Sequence, residues 1–416
     1  MNNQHYSGKN LYRFSNQRER RDYVLKSGTS LASTTKITKE ELIAKLDDIC
    51  ESIYDGTYTF NLTFHDDLLT NSHPHGSVER LGQDLIMRNL KENLCKIYSA
   101  RQAHRQMIIG FIKDYLTQHL KIKDYQVVIL RIDIRKFYPS INREHVFHQL
   151  KESARLSAES ILLLKDILSR VPSGLPLGTS VSAPLSEYAM VFFDKAILQT
   201  TGVLYYKRYV DDIVIICSND TVAEKLWNDV PVLLDKLKLE INRKKSKKIV
   251  FGKNIPATFV SNGYIRNQLS FLGYRIEYNG HGDLKVHISD GKIKDFKTKI
   301  VTSLLNWKKN HDFKLLCMRL KFLTGNCIFI NIKDSVPTFS GLKYNYPHLT
   351  DDGKMILLEL DHFLQMLVNS RNMSFRGSFS SSQIRTLKKF SFKGGFEKNI
   401  FHKFSPRQMK EIKRIW

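Results

Sequence analysis

Apolar positions in the first part of the chain repeat with the period of an α-helix. A helix is predicted from Thr38 to Tyr54, because its apolar residues return to one face at helical spacing. Those residues are Leu42, Leu46, Ile49 and Ile53. Thr38 followed by Glu41 is typical of a capping box at a helix N-terminus. A second helix is predicted from Arg105 to Leu120, so this part of the chain is expected to be mainly helical.

The pattern changes after residue 120, where β-structure is expected. The run from Tyr125 to Ile134 predicts a buried strand. Residues 203–218 have the length and turn chemistry of a hairpin whose strands meet near Asp211. A second hairpin is predicted from Arg275 to Ile288, where turn residues separate two alternating runs. Further helices are predicted at residues 143–154 and 183–199 and over most of the chain beyond Ser289.

Length and charge indicate a globular protein with a polyanionic partner. The chain has 416 residues, enough for about two or three domains, because single hydrophobic cores stop growing at roughly 250–300 residues. Lysine and arginine number 65 against 41 aspartates and glutamates, which gives a formal charge of +24 at pH 7. On a folded body, this excess favours nucleic acid over a membrane surface as the partner.

Cysteine usage and hydropathy indicate a cytosolic protein. The five cysteines are odd in number and include no C-x-x-C pair, so we expect a reducing compartment and no zinc site. The sequence has no run of about 18 apolar residues, and its N-terminus lacks the apolar core of a signal peptide. We therefore expect no membrane partner.

Two adjacent aspartates stand at the first predicted hairpin turn, in the stretch "KRYVDDIVII". Asp211 and Asp212 precede a buried run, where unpaired anions are costly, so a cationic partner is expected. A divalent metal ion and an ordinary Asp-Asp turn are the alternatives. Asp133 ends another buried strand 78 positions earlier, although an aspartate at a strand end is often only a cap. If the two strands are neighbours, Asp133 and Asp211 can share two Mg²⁺ ions.

Five motifs in order resemble those of reverse transcriptases, over roughly Leu62 to Leu320. They are "RIDIRKFYPSI", "GLPLGTSVSAPLSEY", "YVDD", "LKLEINRKKSKKIVF" and "FLGY". The resemblance implies an α+β right-hand polymerase, in which fingers and a palm with an antiparallel sheet precede a helical, basic thumb and C-terminal region. It places an N-terminal extension at 1–60, fingers at 61–132, the palm at 133–283 with an insertion at about 142–180, and the thumb and C-terminal region at 284–416.

The same resemblance assigns the residues of the reaction. Asp133, Asp211 and Asp212 become the catalytic aspartates and metal ligands, with the Ile134 carbonyl as a further ligand and Asp212 supporting the site from beside it. The implied cofactor is two Mg²⁺ ions, for which Mn²⁺ can substitute. Tyr138 matches the gate that excludes a ribose 2′-hydroxyl, although it could also be a core aromatic residue.

Other residues match nucleotide-binding and primer-binding positions of the family. The primer-grip motif comprises Phe271, Leu272, Gly273 and Tyr274. The nucleotide-binding positions, besides Tyr138, are Lys96, Arg101, Arg105, Leu177, Gly178 and Lys245. For Lys96, Arg101 and Arg105 the match is loose, and a solvated helix face is the alternative. Lys245 would lie near the leaving pyrophosphate, but neighbouring lysines leave that choice open.

One departure from the family pattern bears on biological role. Leu177 stands where many reverse transcriptases carry glutamine. This departure resembles the bacterial abortive-infection and "unknown group" reverse transcriptases, which act in antiphage defence, better than it resembles retroviral or group II intron enzymes. A harmless packing substitution is the alternative. The expectation is a cytoplasmic bacterial enzyme whose partners are dNTPs, a DNA product and an RNA template, namely a non-coding RNA encoded nearby; a homo-oligomer is possible.

The basic C-terminal stretch is the candidate surface for that RNA. Its aromatic residues interleave with lysines and arginines and could stack on unpaired bases: Phe392, Phe396, Phe401, Phe404 and Trp416. An ordinary packed terminal helix is the alternative. Two other functions also stay open, namely a template-independent or protein-primed DNA polymerase and a non-catalytic RNA-binding module.

Overall fold

The computed structural model describes residues 5–15, 19, 38–66, 68–74, 76–330, 337–369, 375, 379–398 and 401–416. The chain divides into two compact units, one of residues 1–103 with 130–247 and the other of residues 104–129 with 248–416. This division reflects where contacts between residues are concentrated, so the functional boundaries of fingers, palm and thumb stay predictions. In the described part of the chain, no helix has the length and apolar character needed to span a bilayer.

The first unit is mainly helical. Its helices are α1 (Gly8–Phe14), α2 (Lys39–Tyr54), α3 (Val78–Ile97), α5 (Phe137–Ser140), α6 (Arg143–Ser153), α7 (Ala158–Ser169), α8 (Ser182–Ala189), α9 (Val191–Leu198) and α10 (Asp220–Asp235), with α4 (Arg105–His119) in the second unit. The predicted capping box of α2 is confirmed, because Thr38 and Glu41 exchange side-chain and backbone hydrogen bonds. The predicted helix from Arg105 is also present.

Strands of the first unit form a small hairpin and part of a larger sheet. The hairpin is β1 (Leu62–His65) with β2 (Leu68–Asn71). The larger sheet has the order β4-β5-β3-β6-β7, with β3 at Val127–Asp133, β4 at Val203–Tyr209, β5 at Asp212–Cys217, β6 at Lys247–Phe251 and β7 at Tyr264–Arg266. The predicted hairpin near Asp211 is confirmed, because β4 and β5 pair antiparallel. The four residues after Asp212 are each 0% exposed, as expected for a strand at the centre of a covered sheet.

The helix predicted at residues 183–199 is interrupted in the structure. Met190 separates α8 from α9, with φ −91° and ψ −3°. The interruption lies between Glu187 and Asp194, and these two carboxylates both bind the guanidinium of Arg208. Apolar periodicity continues across Met190, which is itself fully buried, so the pattern gave no sign of the break.

Arg208 on β4 is the centre of a buried ion cluster. Its side chain is 3% exposed, and it lies 2.8 Å from a carboxylate oxygen of both Glu187 and Asp194. A second nitrogen–oxygen pair, at 3.2 Å to Glu187 and 3.0 Å to Asp194, makes each contact bidentate. The Tyr206 hydroxyl also donates to Asp194. Because Arg208 is almost completely buried and Glu187 is 11% exposed, removal of one partner would leave a poorly solvated charge.

The second unit contains two further sheets and most of the C-terminal helices. One sheet has the order β10-β9-β8 and uses β8 (Gln268–Phe271), β9 (Tyr274–Tyr278) and β10 (Leu284–Ile288), which confirms the second predicted hairpin. Its helices after β6 are α11 (Ala257–Ser261), α12 (Asp290–Asn310), α13 (Phe313–Thr324), α14 (Leu342–Asn345), a 3₁₀ turn at Asp352–Lys354, α15 (Met355–Asn369), α16 (Ser381–Leu387), α17 (Phe392–Glu397) and α18 (Pro406–Lys413).

A three-stranded sheet interrupts the region that was expected to be mostly helical. It has the order β12-β11-β13, with β11 at Asn326–Ile330, β12 at Pro337–Gly341 and β13 at Phe401–Phe404. The strands β11 and β13 pair in parallel although they are far apart in the sequence. Each strand has five residues or fewer, which is too short for a clear alternating pattern.

Replacing Arg208 should reveal the cost of its buried partners. We expect Arg208→Met to lower the free energy of unfolding by about 3–5 kcal/mol, because Glu187 and Asp194 would be left as uncompensated buried charges. Urea unfolding of the full chain measures the change. Arg407→Met is the control, since Arg407 is 90% exposed beside Glu411 and should contribute less than about 1 kcal/mol. Equal, small effects of both substitutions would contradict the cluster's structural role.

Candidate active site

Asp133, at the end of β3, is held by the loop that precedes β6. Its side chain is only 5% exposed, and its backbone N–H donates to the Ser246 hydroxyl at 3.1 Å. Its carbonyl accepts from the Asn242 N–H at 2.7 Å. Lys245 Nζ lies 3.4 Å from the Asp133 carboxylate. The loop before β6 therefore bonds both the N–H and the carbonyl of Asp133. It also places the Lys245 ammonium beside the Asp133 carboxylate.

Asp211 lies in a two-residue turn beside that strand end. Tyr209 pairs directly with Asp212, so only Val210 and Asp211 connect the strands. Val210 has φ of 60°, the first-position geometry of a type II′ turn, although a β-branched residue is strained there by about 1–3 kcal/mol. The Ile134 N–H donates to the Asp211 carbonyl at 3.1 Å. This bond ties the turn to the residue that follows Asp133.

Burial and neighbouring charges shift the pKa values of Asp211 and Asp212. Partial burial raises the pKa of Asp211, and the charge of Asp133 raises it further. Burial likewise raises the pKa of Asp212 to about 6, although Arg131 opposes the shift. Arg131 lies 3.6 Å from Asp212 Oδ1, too long for a hydrogen bond, and that buried oxygen has no hydrogen-bond partner. The folded chain therefore concentrates negative charge that a cation would stabilise.

These residues fit a divalent ion coordinated by oxygen. Carboxylate and carbonyl oxygens are the donors that Mg²⁺ prefers, and Asp133, Asp211 and the Ile134 backbone supply them at adjoining positions. Among the described residues, no three His, Cys, Asp or Glu side chains are grouped so that they could hold one metal ion together. Asp212 instead forms an ion pair with Arg131. Its role as a metal ligand stays a prediction.

Arg208 supports the turn from beneath, a function that the sequence analysis missed. Its Nη1 donates to the Val210 carbonyl at 3.1 Å while the same guanidinium binds Glu187 and Asp194. The signal was present, because Arg208 lies next to the motif on a strand that enters a core. Arg131 offered the same signal within a buried strand, two residues before Asp133. A charged residue in such a run requires a partner.

Tyr138 lies in the same unit as the aspartates, on the short helix α5. Its side chain is half-buried, and its pKa is raised by burial and by the charges of Glu187 and Asp211. Its hydroxyl accepts a 3.4 Å hydrogen bond from the Gln102 amide. The Tyr138 carbonyl accepts from the Leu175 N–H at 2.9 Å. Tyr138 is thus electrostatically coupled to the Asp211 turn and bonded to the second motif.

The second motif is anchored through its backbone. The Leu177 carbonyl accepts from the Leu69 N–H on β2 at 2.9 Å, and the Leu177 side chain is half-buried. Gly178 has φ of +84°, and a Cβ there would lie 2.8 Å from the Leu69 carbonyl. Glycine is therefore required at residue 178, whereas the bond made by residue 177 is independent of its side chain.

The predicted phosphate-binding cations fall in different units. Lys96, at the end of α3, and Arg101 are both exposed in the first unit, and Arg101 lies 3.8 Å from Glu92. Arg105 belongs to the second unit, where its guanidinium donates to the Leu272 carbonyl at 2.9 and 2.6 Å. It also stacks over the rings of Tyr274 and Tyr346. A role of these three cations in nucleotide binding stays a prediction, and Arg105 supports the primer-grip turn.

The primer-grip motif forms a tight hairpin turn in the second unit. Phe271 and Tyr274 pair at the ends of β8 and β9 and are 1% and 0% exposed. Leu272 and Gly273 between them have φ of 46° and 78°, as a type I′ turn requires. The Tyr274 hydroxyl donates to Gln106 on α4 at 2.9 Å. The turn backbone, rather than the buried aromatic rings, is therefore the part that faces outward.

Comparison with known proteins extends this description. The profile of the family described as "Reverse transcriptase (RNA-dependent DNA polymerase)" matches residues 77–276. No curated protein matches the sequence at a significant level. Telomerase from Candida albicans, in a complex with a TWJ fragment of telomeric RNA, is similar at 13% identity over 79% of this chain and 53% of that one, with a TM-score of 0.37. Apo telomerase from Candida tropicalis is similar at 14% identity over 76% and 55%, also with a TM-score of 0.37.

The chain thus spans about half the length of the solved structures that it matches. The family match, by contrast, covers the segment in which Asp133, Tyr138, Leu177, Asp211 and Lys245 are found. The similarity to reverse transcriptases therefore extends over residues 77–276, slightly less than half of the chain.

Proposed function

We propose that the protein copies RNA into DNA with divalent metal ions bound at Asp133 and Asp211. The observation that carries this proposal is the Ile134–Asp211 hydrogen bond of 3.1 Å, because it holds the two carboxylate-bearing segments together within the family match. Asp133, Asp211 and the Ile134 carbonyl would hold the ions. Mg²⁺ bound there would lower the pKa of a primer 3′-hydroxyl and stabilise charge on the triphosphate and the leaving pyrophosphate.

The residues around the aspartates would orient the substrates. Tyr138 would pack beneath the incoming sugar, where a 2′-hydroxyl would clash with its ring. Lys245, 3.4 Å from Asp133 and 61% exposed, is free to turn toward pyrophosphate and to act as a general acid. Arg208 and Arg131 would keep the turn in place while substrates exchange. The contacts of Lys245 with Asp133, of Arg208 with Val210 and of Arg131 with Asp212 support these roles.

We further propose a biological role in bacterial antiphage defence. The template would be a dedicated non-coding RNA encoded near the gene, and the reaction would take place in the cytoplasm. Leu177 at the glutamine position supports this role, and the formal charge of +24 supports an RNA partner. Template-independent or protein-primed synthesis is the second candidate, because it requires the same aspartates.

Removing the paired aspartates of the turn should abolish DNA synthesis. We expect the double substitution Asp211→Asn and Asp212→Asn to reduce incorporation of labelled dNTPs to background, because the metal-binding charge is lost. The chain offers a matched control in Asp351→Asn with Asp352→Asn, since that adjacent pair is 97% and 65% exposed. The control should retain full incorporation. A folded turn variant that still incorporates dNTPs would disprove the polymerase site.

Shortening Tyr138 should relax sugar discrimination. Tyr138→Ala removes the ring beneath the sugar, so we expect the ratio of ribonucleotide to deoxyribonucleotide incorporation to rise about tenfold or more, the factor that corresponds to relief of a clash of about 1.4 kcal/mol. Tyr138→Phe retains the ring and should leave the ratio unchanged. An unchanged ratio in the alanine variant would mean that Tyr138 is only a packing residue.

Nucleic acid that co-purifies with the protein should identify the template. We expect sequencing to find one enriched RNA with both the wild type and the Asp211→Asn/Asp212→Asn variant, and its complementary DNA with the wild type only. The variant is the control that separates bound DNA from synthesised DNA. DNA without a complementary RNA would contradict templated copying and favour the template-independent or protein-primed alternative.

A further inference from the structure

Three exposed aromatic side chains cluster on the C-terminal three-stranded sheet. Phe339, Tyr344 and Phe401 are 42%, 48% and 36% exposed. The ring centroids of Phe339 and Tyr344 are 5.9 Å apart with an interplanar angle of 29°, and Phe401 meets Phe339 edge to face at 6.0 Å. We call this group the aromatic face. Exposed aromatic residues that contact one another are unusual on a solvated surface and mark a binding site.

Strand register places this cluster on the outer side of the sheet. Phe339 on β12 and Lys403 on β13 are both register partners of Ile328 on β11, so the three residues project from one side. Phe401 and Lys403 are two residues apart on β13 and therefore share that side as well. The inner side carries Cys327 and Phe404, which are buried in a core. Phe339, Phe401 and Lys403 therefore lie on the side of the sheet opposite to this core.

A buried asparagine fixes Tyr344 beside Phe339. Asn326 is 0% exposed, and its Oδ1 accepts from the backbone N–H groups of Lys343 and Tyr344 at 3.0 and 3.4 Å. Gly341 connects β12 to the helix that carries Tyr344, with φ of +125°, and a Cβ there would lie 2.4 Å from the Asn326 Cα. The aromatic face is therefore held in position by the fold, so binding would not have to order it.

Phe401 of the aromatic face belongs to a strongly basic segment of the chain. Lys403 is exposed on the same side, about 7 Å along β13 from Phe401 and about 10 Å across the sheet from Phe339. The sequence from Lys388 to Trp416 contains nine lysines and arginines and two glutamates. Both glutamates are already paired, Glu397 with Lys393 and Glu411 with Arg407. A partner of this surface must therefore combine flat apolar groups with negative charge.

We propose that the aromatic face binds unpaired bases of single-stranded RNA, with Lys403 contacting the adjoining phosphates. Stacking on aromatic rings beside a positive surface is the usual means of binding single strands without reading their sequence. Bases in a duplex are stacked on each other and cannot lie on these rings, so the site selects unpaired segments. The inference rests on the proposed function, since it assigns a binding surface for the RNA that the enzyme would copy.

This surface replaces the aromatic set suggested by the sequence. Phe392, Phe396 and Phe404 are 0%, 6% and 8% exposed, so their rings are unavailable for stacking. Trp416 packs against the core of Phe404. Of the five aromatic residues named from the sequence, Phe401 is the one on the outer side. Truncation before Phe392 would remove part of this core, and point substitutions are the appropriate test.

Binding of short RNAs to the full chain tests the proposal. The triple variant Phe339→Ala/Tyr344→Ala/Phe401→Ala is compared with wild type by fluorescence anisotropy, using an unstructured RNA of about 12 nucleotides, within the range that single-strand-binding sites cover, and a duplex of equal length. We expect about tenfold or greater loss of affinity for the single strand, with duplex affinity and the salt dependence unchanged. Phe192→Ala, at a residue 61% exposed on α9, is the control and should bind as wild type.

A charge variant separates stacking from phosphate contact. Lys403→Ala should weaken binding of both RNAs and reduce the slope of log affinity against log salt by about 0.7 for the single strand. The proposal is overturned if the triple variant binds the single strand within twofold of wild type, or if it loses duplex binding equally. It is also overturned if the variant changes only the oligomeric state, because the aromatic face would then be a contact between copies of the chain.

The polymerase assay distinguishes this inference from the proposed function. If wild type incorporates dNTPs on a primed RNA while the triple variant still binds single strands normally, only the aromatic face has failed. If wild type incorporates nothing and the triple variant still loses single-strand binding, the polymerase proposal has failed and the RNA-binding face stands. The Asp211→Asn/Asp212→Asn variant should retain single-strand affinity in either case.

Discussion

The compensation of buried negative charge governs the structure around Asp211. Four carboxylates belong to buried strands and helices around the β4–β5 turn or to the turn itself. They are those of Glu187, Asp194, Asp211 and Asp212. Arg208 forms ion pairs with the first two and offsets one of their two negative charges, and its Nη1 also donates to the Val210 carbonyl. Because Arg208 is satisfied by Glu187 and Asp194, it leaves the charge of Asp211 available to an external cation. The ion cluster of Arg208 is thus separate from the Asp211 carboxylate, so the turn is held in place without using that charge.

Local sequence patterns predicted the elements whose partners are close in the chain. The capping box at Thr38, the hairpin near Asp211 and the hairpin from Arg275 depend on contacts within a few residues, and all three are present. The parallel pairing of β11 with β13 joins Asn326 to Phe401, and no local period encodes such a contact. The break at Met190 was likewise invisible, because a buried methionine continues the apolar pattern of a helix.

The aspartates could be found from the sequence, whereas the sequence did not show which other residues hold their segments in place. Asp133 and Asp211 stand out because charge at the end of an apolar run is costly. Ser246, Arg131 and Arg208 act through contacts with those segments. A charge inside a buried strand shows that Arg131 and Arg208 need partners, but it does not identify them. The C-terminal aromatic residues illustrate the same limit. Composition gave Phe392 and Phe401 equal weight, but only the sheet register decides which ring meets solvent.

In the second motif, Gly178 is constrained by the backbone, whereas the side chain of Leu177 is not. Gly178 is constrained by its positive φ and by the close approach of Leu69, so its identity carries information about backbone geometry alone. The contact of Leu177 with Leu69 runs through a carbonyl that every amino acid possesses. A glutamine could therefore occupy residue 177 without loss of that bond. The bond to Leu69 therefore places no constraint on the half-buried side chain of residue 177, whose contact with nucleotide or template stays a prediction.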